Sequence, residues 1–76
     1  MRRGRGNLIY MYTAKDCGRC LIQKDVFDAA GTTYVERSAD RLKGGHADYD
    51  DIDQDALVVL NQQNMKLPVI VNVQEL

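Results

Sequence analysis

Apolar residues follow two rhythms along this chain, and each change of rhythm marks an element. Leu8–Thr13 (LIYMYT) is a nearly continuous apolar run rich in Ile and Tyr, the pattern of a strand buried on both faces. Past Cys17 the spacing becomes helical. Ile22, Val26, Ala29 and Ala30 share one face with Phe27 at its flank, while Lys24, Asp25 and Asp28 share the other. Gly31 follows as a C-terminal stop. Thr32–Arg37 (TTYVER) is β-branched and aromatic and predicts a second strand. From Ser38 to about Asp50 apolar residues are sparse and Gly44-Gly45 interrupts the stretch, so a loop is expected. Asp51 or Asp53 can cap a second helix, with Ala56, Leu57 and Leu60 inward, Val59 beside them and Asn64 at its end. Leu67–Val73 (LPVIVNV) predicts a third strand, with Pro68 near its start, where proline is tolerated.

The order strand, helix, strand, helix, strand defines an α/β domain. A helix joining strands one and two implies a right-handed parallel crossover. Seventy-six residues make one small domain with a marginal core. We divide the chain into a flexible basic arm, residues 1–7, and a folded domain, residues 8–76. No repeat or low-complexity tract interrupts it.

Charge narrows the partners. Ten Lys and Arg stand against eleven Asp and Glu, for a net charge of −1, so no global field points to nucleic acid or an anionic membrane. No apolar run approaches the roughly 18 residues of a membrane span. The basic start is followed by too short an apolar stretch for a signal peptide. A cytoplasmic location is expected, without nucleic-acid or membrane partners.

The chain's two cysteines lie together in Asp16-Cys17-Gly18-Arg19-Cys20. A bridge between them closes a very short loop and removes little entropy from the unfolded chain, so it is a weak staple. In a reducing compartment a close pair points to redox or metal chemistry. Cys17 follows strand one and opens helix one, where free N–H groups and the helix dipole stabilise a thiolate. Lys15 and Arg19 add to that effect and Asp16 opposes it, which predicts a moderately lowered thiol pKa. Cys17 is then the exposed attacking sulfur, and Cys20, one turn inside, the buried resolver. C-x-x-C beside a β-α-β pattern is a redox sign.

These features together resemble the glutaredoxin branch of the thioredoxin superfamily: LIYMYT, CGRC, helix, TTYVER, second helix and KLPVIV, over roughly Leu8 to Val73. The resemblance implies a minimal thioredoxin-like fold, β-α-β-α-β, with mixed sheet order 2-1-3 and an antiparallel third strand. It implies a dithiol thiol–disulfide oxidoreductase with Cys17 as nucleophile, Cys20 as resolver and no bound cofactor. A cis Leu67–Pro68 bond is implied beside the thiols, with Leu67 pairing its backbone with the substrate. Lys15, Arg19, Leu67 and Pro68 thus become substrate-binding candidates. The implied partners are a disulfide-containing client such as ribonucleotide reductase, and glutathione or a thioredoxin-reductase-type electron donor. The chain departs from the family in several ways. The pair encloses Gly-Arg, Lys66-Leu67 replaces the usual Thr-Val, and Lys15 sits one residue nearer the motif than usual. The usual C-terminal strand, Gly-Gly turn and helix, which hold the γ-glutamyl end of glutathione, are absent. A third strand left at an edge predicts pairing with another chain, such as a dimer.

Two other readings stay open. One is a metal- or iron–sulfur-binding module with thiols pooled between chains, since two Cys and His46 fall short of a structural zinc set. The other is a non-catalytic adaptor acting through the acidic run Asp48–Asp55 and the free edge. Read for structure alone, that run is a helix cap with a solvated face, and His46 is a solvated loop residue.

Overall fold

The computed structural model describes residues 7–43 and 47–74. Strand β1 (Asn7–Thr13) lies at the centre of a three-stranded sheet. Helix α1 (Gly18–Ala30) leads to β2 (Val35–Ser38), which pairs parallel to β1 with Tyr10 opposite Val35 and Thr13 opposite Ser38. A 3-10 helix (Ala39–Lys43) and helix α2 (Asp51–Gln62) precede β3 (Val69–Gln74), which runs antiparallel to β1. The sheet order is β2-β1-β3, the α/β architecture and strand order expected. β1 begins at Asn7, which the sequence had assigned to the basic arm; the rest of that arm lies outside the described residues.

Alternation along β1 divides the interior. Tyr10 and Tyr12 stand opposite Val71 and Val69 and share one face. There Tyr12, Val69 and Val71 pack with Ala56 and Leu60 of α2 and Leu42 of the 3-10 helix. Met11, opposite Ile70 and Glu36, points the other way and is fully buried. Lys24 of α1 reaches Glu36, which sets α1 over that second face.

Several elements differ from the sequence reading. The face of α1 predicted from Ile22, Val26, Ala29 and Ala30 is exposed, with Ile22 at 65% and Val26 at 54%. The helix turns Cys20, Lys24 and Phe27 inward instead, and Cys20 is its buried residue. Those positions are one helical face, and the disulfide and the Phe27–Tyr34 ring contact, 5.1 Å between centroids, hold it there. Thr32–Tyr34 precede β2 rather than joining it, after a left-handed cap at Gly31 (φ 70°). The 38–50 stretch is not all loop: its 3-10 helix places Leu42 in the core. β3 starts at Val69, because Pro68 has no N–H for the ladder. The α2 cap is Asp50, whose carboxylate accepts from the Asp53 N–H while Asp53 accepts from the Asp50 N–H, a reciprocal capping box. The helix ends at Gln62 with Gln63 as its cap, one residue before the expected Asn64.

The largest difference concerns the acidic run. Asp53 is fully buried rather than solvated. Its Oδ1 accepts from Tyr12 Oη at 2.6 Å, Arg37 Nη1 at 3.1 Å and Arg41 Nε at 3.0 Å; its Oδ2 accepts from Arg41 Nη2 at 2.8 Å. Arg37 also grips Asp50 through both terminal nitrogens and lies 4.6 Å above the Tyr10 ring. One carboxylate thus ties β1, β2, the 3-10 helix and α2 together.

Burial, and then the hydrogen bond to Asp53, push the Tyr12 hydroxyl pKa far above its ordinary value. The folded state keeps a proton that the unfolded chain releases near pH 10. This contribution is therefore complete below about pH 10 and is lost as pH rises beyond it. Tyr12→Phe has no such proton. It should cost about 1 kcal/mol at neutral pH through the lost hydrogen bond and flatten the alkaline fall in urea midpoint. An alkaline fall as steep as the parent's would place its origin elsewhere.

Candidate active site at the head of helix α1

Cys17 is the N-cap of α1, with extended backbone (φ −104°, ψ 98°), and its Sγ accepts the Cys20 N–H at 3.1 Å. An N-cap acceptor satisfies a helix donor that would otherwise lack a partner. Here that acceptor is sulfur, covalently bonded to Cys20 Sγ, with the two Cα atoms 5.2 Å apart. Exposure is asymmetric: Cys20 is 2% exposed and Cys17 half-buried. An outside reagent therefore meets Cys17 first. The space over Gly18 is open, since a Cβ there would meet nothing within 4 Å.

The disulfide borders an open groove of about 1280 Å³. Lys15, Arg19, Lys66 and Leu67 line it with the two cysteines, and the three cations are exposed. One wall is a braced polar chain. Thr13 Oγ1 donates to Glu36 Oε2 at 2.6 Å, and Lys24 Nζ lies 2.8 Å from the same oxygen. Lys24, and then the Thr13 hydroxyl, lower the Glu36 pKa; Glu36 in turn raises that of Lys24. Both groups stay charged through the neutral range.

Of the residues predicted for the site, Cys17, Cys20, Lys15, Arg19 and Leu67 all meet at this groove. The Leu67–Pro68 bond is cis. Pro68 is half-buried behind Leu67 and is not among the residues lining the groove. The sequence reading missed Gln63. Its Nε2 donates to the carbonyls of Lys66 at 2.9 Å and Pro68 at 3.2 Å, pinning the segment beside the disulfide from the end of α2. Its place near a predicted helix end was visible; its reach across a left-handed turn was not. Lys66, adjacent to Leu67-Pro68, was nearer to hand as a third cation at the site.

Among the described residues no group of three or more His, Cys, Asp or Glu side chains could hold a metal ion; His46 lies outside them. No helix among the described residues is long and apolar enough to cross a membrane. No family model matches this chain, and no curated protein or solved structure matches it either.

Proposed function

We propose that this chain is a small dithiol thiol–disulfide oxidoreductase that reduces protein disulfides or glutathione mixed disulfides. The supporting observation is the asymmetric pair: a half-exposed N-cap Cys17 whose Sγ accepts a helix N–H, bonded to a buried Cys20 one turn inside. The same N–H and the helix dipole favour a thiolate over a thiol at Cys17.

In the reduced protein, Cys17 thiolate attacks a client disulfide. A bond forms between Cys17 Sγ and one client sulfur, the client S–S bond breaks, and the departing sulfur takes a proton from water. Cys20, deprotonated, then attacks Cys17 Sγ. The internal disulfide forms, and the second client sulfur leaves and is protonated. Two electrons and two protons pass from the pair to the client. Glutathione, or a dithiol reductase of the thioredoxin-reductase type, returns them. Such a cycle suits a reducing compartment such as the cytoplasm.

The test is a titration in graded glutathione redox buffers, acid-quenched and read by intact mass. Loss of two hydrogens at a defined potential is the expected result, with a glutathione adduct marking engagement of that donor. Thiols that stay free across the whole range would end the dithiol mechanism.

A further inference from the structure

The groove does not stop at the disulfide. Leu67 and Met65 also line an apolar cleft of about 260 Å³ between the 3-10 helix and the end of α2, together with Ala39, Leu42 and Leu60. Met65 stands where the two spaces meet and is 64% exposed. Its backbone is left-handed (φ 65°), directly after left-handed Asn64 (φ 59°), and its N–H closes the helix end on the Leu60 carbonyl at 2.8 Å. Asparagine tolerates this conformation, whereas an unbranched apolar residue adopts it rarely and at a cost; glycine is the ordinary occupant. The strained position holds a flexible thioether over the boundary, a side chain suited to adaptable apolar contact.

The charge around the groove is also one-sided. Lys15, Arg19 and Lys66 carry no ion pair among the described residues. The acids in the same lining offset them little: Glu36 is bound to Lys24 and Asp40 to Lys43, leaving Asp16 as the opposing charge.

We propose that this double surface selects the client of the proposed reaction. The preferred substrate is a protein disulfide in an extended acidic segment that also carries an apolar side chain. Its carboxylates face Lys15, Arg19 and Lys66, and its apolar side chain enters the cleft beside Met65 and Leu67. Charge complementarity and the two walls shared by cleft and groove carry this assignment, which rests on the oxidoreductase reading above.

Synthetic peptides on one scaffold, each with an internal disulfide, test it. One carries aspartates and a leucine, the second aspartates with serine for leucine, and the third lysines with the leucine. Reduced protein in excess is mixed with each, without an external donor, and the single-turnover rate is followed after acid quench. The aspartate–leucine peptide should react about a hundredfold faster than the lysine one at low salt. Added salt should erode that ratio. Replacing leucine by serine should cost about tenfold, with little salt dependence. Lys66→Glu should narrow the aspartate-over-lysine ratio, and Met65→Gly, which relieves the left-handed backbone, should narrow the leucine-over-serine ratio. Equal rates for all three peptides would overturn the selection while leaving the oxidoreductase reading standing. Reduction of none would overturn both.

Discussion

Asp53→Ala should remove most of the protein's stability at room temperature. The substitution strips Tyr12, Arg37 and Arg41 of the acceptor they share. Removing one partner of a buried charge cluster costs about 3–5 kcal/mol, because the remaining charges stay desolvated. Both arginine side chains are 18% exposed and can turn toward water, so we place the cost near 3 kcal/mol. A chain of 76 residues has about 4–11 kcal/mol of stability in all, and its marginal core argues for the low end. The loss thus consumes most of what is available. Asp53→Asn keeps the shape but not the charge and should fall between. Urea titration followed by far-UV circular dichroism measures both, and a midpoint for Asp53→Ala equal to the parent's would refute the argument.

The same cluster sets the acid limit. The Arg41 hydrogen bonds hold the Asp53 carboxyl well below the usual carboxylate range, and Arg37 lowers Asp50. A depressed folded pKa contributes stability that is complete above the unfolded value, about 4, and is lost as pH falls below it toward the folded value. Acid unfolding should therefore begin below about pH 4, and Asp53→Asn should weaken that dependence.

Why was this cluster hidden in the sequence while the thiol site was legible? The thiol site is local. Cys17, Gly18, Arg19 and Cys20 occupy one helical turn, and a strand-to-helix junction dictates their geometry. The succession of strands and helices likewise followed from runs of apolar residues long enough to show their period, whereas the sheet order 2-1-3 came from the family resemblance. Asp53 makes its bonds to Tyr12 and Arg37 across 41 and 16 positions, and no spacing rule links such residues. Standing in an acid-rich run, it read as one solvated carboxylate among several. The α1 error has a related cause. Periodicity located an apolar stripe through Ile22 and Val26, but not which face the sheet would take. Cys20 and Phe27 decided that through the bond to Cys17 and the ring contact with Tyr34, pairings that apolar periodicity does not register. Gln63 was missed because its role depends on two consecutive left-handed residues, Asn64 and Met65, neither of which announces that conformation.

Cys17→Ser should abolish disulfide exchange, lowering the single-turnover rate by at least about a thousandfold, since a nucleophile that forms the covalent intermediate has no substitute. Cys20 cannot take over, being 2% exposed behind it. Cys20→Ser should behave differently. Cys17 still attacks, but nothing inside the protein cleaves the mixed disulfide, so the client stays attached and intact mass shows protein plus peptide. A purely structural bridge makes the opposite forecast. Either serine would then remove the same staple, costing at most about 2 kcal/mol for so short a loop, and the two variants would be alike in stability, with neither trapping a client. The pair of variants separates the readings because the roles of the sulfurs are unequal while a staple is symmetric. If neither variant changed the exchange rate and no adduct formed, the Cys17–Cys20 bond would have to be read as structure, and the search for the protein's chemistry would move away from the head of α1.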